Sequence, residues 1–150
     1  MANSYTQIII HYVFSTKNRE KWITSKYEER IWKYMGGIAK KNGIVPYCIG
    51  GVEDHVHMLL SLPKTFSVAE AIKLIKGGSS SWIHAEFPEL KNFLWQEGYG
   101  AFSVSYSGIN GVKQYILDQR EHHRVRTFKD EYLAFLKKYN IPYNERYLWD

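Results

Sequence analysis

Two periodicities alternate along the chain. From Tyr5 to Phe14, β-branched and aromatic residues dominate and predict a first strand, which runs into the basic loop STKNREK. Ser25 and Glu28 then have capping-box spacing, and Ile31, Tyr34, Met35 and Ile38 recur on one helical face up to the break at Asn42-Gly43, so a helix is expected there. Two strands follow, about Ile44–Ile49 and His55–Leu62, joined through Gly50-Gly51 and an acidic turn. Ser67 with Glu70 opens a second helix that carries Val68, Ile72, Ile75 and Trp82 at helical spacing. Its internal pair Gly77-Gly78 calls for a bend or for close approach of a neighbour. After Pro88, FLWQEGYGAFSVS reads as one or two strands with a glycine-marked turn or bulge, followed by a helix from about Ile109 to His123. Thr127 with Asp130 opens a last helix, and the aromatic tail IPYNERYLWD is expected to pack back on the body.

The order strand, helix, strand, strand, helix, strand, helix predicts an α+β fold. It is the ferredoxin-like βαββαβ pattern, an antiparallel sheet with added C-terminal helices. Repeats, low-complexity tracts and linkers are absent from the sequence, so residues 1–150 are expected to form one domain.

Composition narrows the class. At 45% hydrophobic and 16% aromatic residues, the chain is long and apolar enough to bury a core without staples, and disorder is excluded. The single cysteine, Cys48, has no partner thiol and is expected to be a small buried hydrophobe in a reducing compartment. The N-terminal residues lack a signal-type core and no apolar run approaches spanning length, which predicts a cytoplasmic protein with no membrane partner. A net charge of +5 and a pI near 9.2 favour a polyanionic partner.

Candidate chemistry begins at GGVEDHVHMLL. On a strand, His55 and His57 point the same way while Val56 and Met58 face the other side. A bare H-x-H most often lies on a solvated sheet face; with partners elsewhere it is a pair of metal ligands. A second cluster lies in GVKQYILDQREHHR, where Tyr115 and Gln119 are spaced i, i+4 on one helical face and His122 lies one turn further. The ordinary explanation is an amphipathic helix with Ile109, Val112 and Ile116 towards the core.

Taken together, these blocks resemble the HUH single-tyrosine (Y1) transposases of the IS200/IS605 type, including the related transposases associated with repetitive extragenic palindromes (REP). The resemblance covers nearly the whole chain through IIIHYVFSTKNR, GGVEDHVHMLL, IKGGSSSWI, WQEGYGAFSVS and YILDQREHH. It implies that His55, His57 and Gln119 hold a divalent metal, Mg²⁺ or Mn²⁺. It implies further that Tyr115 attacks a phosphodiester at hairpin-bearing ends of single-stranded DNA, leaving a 5′-phosphotyrosine and a free 3′-OH ready for strand transfer. It also implies a homodimer in which the tyrosine helix completes the partner's active site in trans. A domesticated enzyme that processes REP palindromes and a catalytically silent nucleic-acid-binding repressor are the alternative readings.

On chemistry alone, two imidazoles and an amide oxygen suit Mn²⁺ better than Mg²⁺, and a zinc site would ordinarily have a third strong ligand. Glu53 or Asp54 could add a carboxylate, although a polar turn is their ordinary role. No general base is evident. For DNA contact, Lys73 and Lys76 lie off the apolar stripe of their helix, Ser79 and Ser80 follow the glycine pair, and Lys17, Arg19, Arg120 and Arg124 add charge. Trp95, Tyr99 and Phe102 could stack unpaired bases, though strand aromatics more often belong to the core.

Overall fold

A computed structural model describes residues 3–150. Four strands form one antiparallel sheet: β1 (Ile8–Ser15), β2 (Val45–Val52), β3 (His55–Leu62) and β4 (Gly100–Ser103), in the order β2-β3-β1-β4. Helices α1 (Glu28–Lys41) and α2 (Val68–Glu86) return the chain between strands, so the expected ferredoxin-like topology is present. The C-terminal additions are α3 (Ile109–Leu117), α4 (Gln119–His122) and α5 (Phe128–Lys138).

Strand alternation divides the molecule into two faces. Ile10, Tyr12 and Phe14 of β1 and Val56, Met58, Leu60 and Leu62 of β3 pack with Ile31, Met35 and Ala39 of α1 and Ile72, Ile75 and Ile83 of α2. The opposite side chains of the same strands meet the C-terminal helices. Val13 packs with Phe102, Phe128, Tyr132 and Leu136, and Ile9 and Leu59 pack with Ile116. Both faces of the central strands are therefore covered.

Several local expectations meet the structure unevenly. The capping boxes at Ser67/Glu70 and Thr127/Asp130 are both formed. The one at Ser25/Glu28 is not, because α1 starts at Glu28 behind Tyr27 without a side-chain cap. Gly50 and Gly51 lie within β2 and the turn falls on Glu53-Asp54. Of the predicted strand region after Pro88, only Gly100–Ser103 forms a strand, with an isolated bridge between Thr16 and Trp95. The helix expected over 109–123 breaks at Asp118, which leaves helical geometry (φ −93°, ψ 19°) and separates α3 from α4.

Close approaches explain two glycines. A Cβ on Gly78 would stand 2.9 Å from Ile38 Cδ1, so Gly78 marks contact with α1, and α2 continues through the pair. A Cβ on Gly50 would stand 3.2 Å from Ile116, where α3 crosses β2. The aromatic tail packs back as expected: Trp149 lies against Phe128 and Tyr132, and the backbone N–H of Gly98 donates to the carbonyl of Asp150.

Candidate functional site

The site grows from the sheet face that carries α3 and α5. His55 and His57 project from β3 and are fully buried, which removes the solvated-face explanation of the pair. The register sets Val13 opposite His57, and His11, one step along the same face of β1, reaches His57 Nδ1 through its Nε2 at 2.8 Å. Helix α3 presents Tyr115. The break at Asp118 then turns the chain so that Gln119 Oε1 lies 3.0 Å from His55 Nε2. The four residues expected to act together, His55, His57, Tyr115 and Gln119, thus meet within one chain. Within the single chain this arrangement is cis.

A carboxylate that the sequence reading missed sits at the centre. Glu131 of α5 has no exposed surface. Its Oε1 accepts from His57 Nε2 at 3.0 Å and His123 Nε2 at 2.9 Å and lies 3.4 Å from His55 Nε2. Its Oε2 accepts from Gln119 Nε2 at 3.3 Å and from the Tyr115 hydroxyl. Because His57 Nε2–H donates to Glu131, its Nδ1 is left to accept from His11, so one proton order runs through three buried groups.

The charges in this pocket follow from burial and partners. Burial alone would drive the proton off His55. Asp54, 2.7 Å from Nδ1, and Glu131 beyond Nε2 outweigh burial and push the ring up to about 9. His57 is lowered, chiefly by burial. His11 falls to about 3 through burial and repulsion from His57. Burial would raise the Glu131 carboxyl, but hydrogen bonds from His123, His55 and His57 overcome it and hold the carboxylate far below its usual range. Tyr115 is raised by burial and by the Glu131 charge, so its phenol stays protonated. The cluster is a buried knot of charged and neutral groups.

The same atoms are of the kinds that could hold a metal ion. Gln119 Oε1 lies 3.0 Å from His55 Nε2, and one ligand atom each of His55, His57, His123 and Glu131 lie within 4.8 Å of one another. Asp54 beside His55 Nδ1 and His11 beside His57 Nδ1 would act as outer partners of the two rings when each proton sits on Nδ1, which for His57 reverses the proton order above and leaves Nε2 free for a metal. The donor set fits a divalent ion.

Other expected residues lie elsewhere. Lys73, Lys76 and Ser79 belong to α2, across the sheet from Tyr115. Lys73 is exposed, but the Lys76 ammonium donates to the carbonyls of Gln96 (2.6 Å), Gly98 (3.0 Å) and Glu97 (3.2 Å). Ser79 is fully buried, donates to Ile75 and accepts from Trp95 Nε1. The phosphate contact expected of Ser79 is therefore corrected, because its hydroxyl is sealed in the core, and Lys76 is committed to the loop before β4. Arg120 is half exposed and pairs with Glu53 and Glu28 at 2.8 and 2.7 Å, so Glu53 is taken as well.

Near the tyrosine, Arg126 Nη2 donates to Tyr115 Oη at 3.4 Å. His122 stacks on the Tyr115 ring, its Nε2 buried and unpartnered. His11, His123, Glu131 and Arg126 were all missed. Two left a signal: His11 has the same strand phase as Ile9 and Val13, and Glu131 lies in the apolar stripe of Phe128, Tyr132 and Leu136.

Comparison with known proteins follows the same residues. The family model described as "Transposase IS200 like" matches residues 4–119, ending on Gln119. The ISDra2 transposase TnpA of Deinococcus radiodurans is 25% identical over 120 residues, covering 77% of this chain and 86% of that protein. The transposase for insertion sequence element IS200 of Salmonella typhimurium is 24% identical over 120 residues, covering 77% and 78%. In structure, a crystallised candidate transposase of Deinococcus radiodurans R1 superimposes with a TM-score of 0.65 at 25% identity, over 79% of this chain and 96% of that one. A REP-associated tyrosine transposase bound to a REP hairpin superimposes with a TM-score of 0.59 at 16% identity, over 82% and 73%, and shares the fold.

Proposed function

We propose, for a chain that belongs to the IS200-like transposase family, that Tyr115 is the nucleophile of a metal-dependent single-stranded DNA strand transferase. The observation that carries this reading is the meeting of Tyr115 and Gln119 with His55 and His57 in one buried cluster. His55, His57 and Gln119 would hold a divalent cation, Mg²⁺ or Mn²⁺, which when bound polarises a phosphoryl oxygen and offsets its charge. Tyr115 Oη forms the new bond to phosphorus as the bond to the 3′-oxygen breaks. The 3′-oxygen leaves as a hydroxyl and the 5′-phosphate stays on the tyrosine. Ester energy is retained, so a later 3′-hydroxyl can attack the link and rejoin strands.

The chain's own groups prepare that step. The phenol donates to Glu131, which fixes its direction. The guanidinium of Arg126 stands beside the nucleophilic oxygen and would meet an incoming phosphate. The unpartnered Nε2 of His122 is a second polar atom there. Of the residues expected to engage the DNA backbone, Lys73 and Arg124 are exposed, and Arg120 would have to exchange its pairs with Glu28 and Glu53 for a phosphate. The substrate would carry hairpins, as does the DNA bound by the REP-associated relative, and would be met in the cytoplasm. No helix among the described residues is long and apolar enough to cross a membrane.

Incubation with hairpin-bearing single-stranded DNA from the gene's flanks and Mn²⁺ should give a covalent adduct on a denaturing gel. Tyr115→Phe should abolish it with DNA binding retained. A persisting adduct rejects the assignment, and DNA binding with no adduct under any divalent ion favours the silent repressor. For a homodimer, mixing His57→Ala with Tyr115→Phe chains separates the arrangements. A cis site leaves every subunit defective, whereas a trans site restores one.

A further inference from the structure

The family match stops at Gln119, yet the densest part of the site lies beyond it. His123 follows α4 and Glu131 stands on α5, both brought in by a segment the match does not cover. We propose that His123 and Glu131 are metal ligands that join His55, His57 and Gln119, making a centre selective for first-row transition cations over Mg²⁺. The inference rests on the metal reading above and extends it.

Spacing is the first argument. Donor atoms held at about 2.0–2.2 Å around one ion stand about 3.0–3.4 Å apart, depending on coordination number. Glu131 Oε1 lies 2.9, 3.0 and 3.4 Å from the Nε2 atoms of His123, His57 and His55. These contacts need little change to become the edges of a coordination shell, and the ligand atoms already lie within 4.8 Å of one another.

The second argument is the division of labour in the carboxylate. Oε1 alone faces the imidazoles, while Oε2 is engaged by Tyr115 and Gln119. Glu131 can therefore ligate through one oxygen and keep the nucleophile oriented through the other. A fully buried carboxylate among imidazoles also supplies negative charge that a cation with neutral ligands otherwise lacks.

Donor chemistry is the third. Three imidazoles and a carboxylate suit Mn²⁺, Co²⁺ or Zn²⁺, whereas Mg²⁺ favours oxygen donors and retained water. Asp54 and His11 hold two of the rings by their far nitrogens, so the selection is built into the surrounding shell as well.

Titration calorimetry of the full chain with Mn²⁺, Co²⁺ and Mg²⁺, without DNA, tests this, with the visible ligand-field absorption of Co²⁺ as a second readout. Mn²⁺ should bind at least about tenfold more tightly than Mg²⁺. Loss of an outer-shell partner alone costs about 10–100-fold in affinity, so His123→Ala and Glu131→Gln should each weaken Mn²⁺ at least about tenfold and alter the Co²⁺ spectrum. Glu131→Asp, which keeps the charge but withdraws the oxygen, should lie between parent and Glu131→Gln, and circular dichroism identifies any variant that fails to fold. Should Glu131→Gln unfold, His123→Ala decides. Wild-type affinity and spectrum in His123→Ala and Glu131→Gln, with binding lost in His57→Ala, would overturn the proposal and leave the smaller family site standing. Unchanged binding in His57→Ala would reject the metal reading itself, and equal affinity for Mg²⁺ and Mn²⁺ would overturn the selectivity.

Discussion

The two faces of the sheet are cut from the same strands and do opposite things. On β3, Val56, Met58 and Leu60 enter an apolar core with α1 and α2, while His55 and His57, their immediate neighbours, enter an ionised cluster with α3 and α5. Both sets are fully buried. The first set gains from leaving water; the second survives there only because each charge has a partner. One face is apolar throughout, whereas the other sets its polar cluster between two smaller apolar cores. The rigidity of the first holds the geometry of the second.

The largest effect should come from the core face. Met58→Ala is expected to cost about 2–5 kcal/mol in urea unfolding, equally with Mn²⁺ and with chelator, because the cavity lies across the sheet from the site. On the other face, Tyr115→Phe should cost about 1.5–3 kcal/mol, below the upper part of the core range, while abolishing the DNA adduct, since what is lost is one hydroxyl that donates to a buried carboxylate and accepts from Arg126. A loss in the upper part of the core range in Tyr115→Phe would break the division.

pH sharpens it further. In chelator, His55 keeps its proton up to about pH 9 when folded, against an ordinary 6.5, so its contribution is full below 6.5 and lost as pH rises through about 9. His11 works in reverse, being held down to about 3 against 6.5. Its contribution is full above 6.5 and fades as pH falls towards 3. Unfolding midpoints in chelator should therefore peak near about pH 6.5 and fall on both sides. Mn²⁺ should flatten the alkaline limb, because a ligating His55 is neutral already. A flat profile in chelator would show that the cluster is not a stability determinant.

The smallest effect concerns one cap. Thr127→Ala removes the acceptor for the Asp130 N–H at the start of α5 and should cost about 1 kcal/mol. Hydrogen exchange should rise in α5 and leave α1 and α2 unchanged. Equal rises on both faces would mean that the C-terminal helices and the core open as one unit.

Most of the scaffold was legible because its signals are local. Period-two alternation placed β3 and its histidine pair, and two capping boxes placed the starts of α2 and α5. The i, i+4 spacing brought Tyr115 and Gln119 to one place even though a break lies between them, since Gln119 remains within one turn of the tyrosine. What failed depended on long-range contact. His122 lies on the tyrosine ring, in keeping with its spacing, but His123, which the spacing did not single out, is the one that reaches Glu131. Lys76 and Ser79 had the composition of phosphate contacts, but Gln96, Trp95 and their neighbours fold over them. Glu131, in the first turn of α5, also looks like an ordinary dipole-favoured acid, and only the packing of α5 turns it inward.

The crossing of α3 over Gly50 sets a clearance. With only a hydrogen where other residues carry a methyl, Ile116 settles close to β2, 3.2 Å from where that methyl would be. Tyr115 is the residue next to Ile116, so the depth of the nucleophile is gauged by an atom that is not there. Gly50→Ala would leave every side chain of the cluster intact and crowd the Ile116 Cγ2 methyl, which must give by a few tenths of an ångström, by turning or by carrying its helix with a lift of that size. Misplacement by about 1 Å can cost about a hundredfold in rate, so even part of that lift should be measurable. The reach of the tyrosine is thus machined into the strand beneath it.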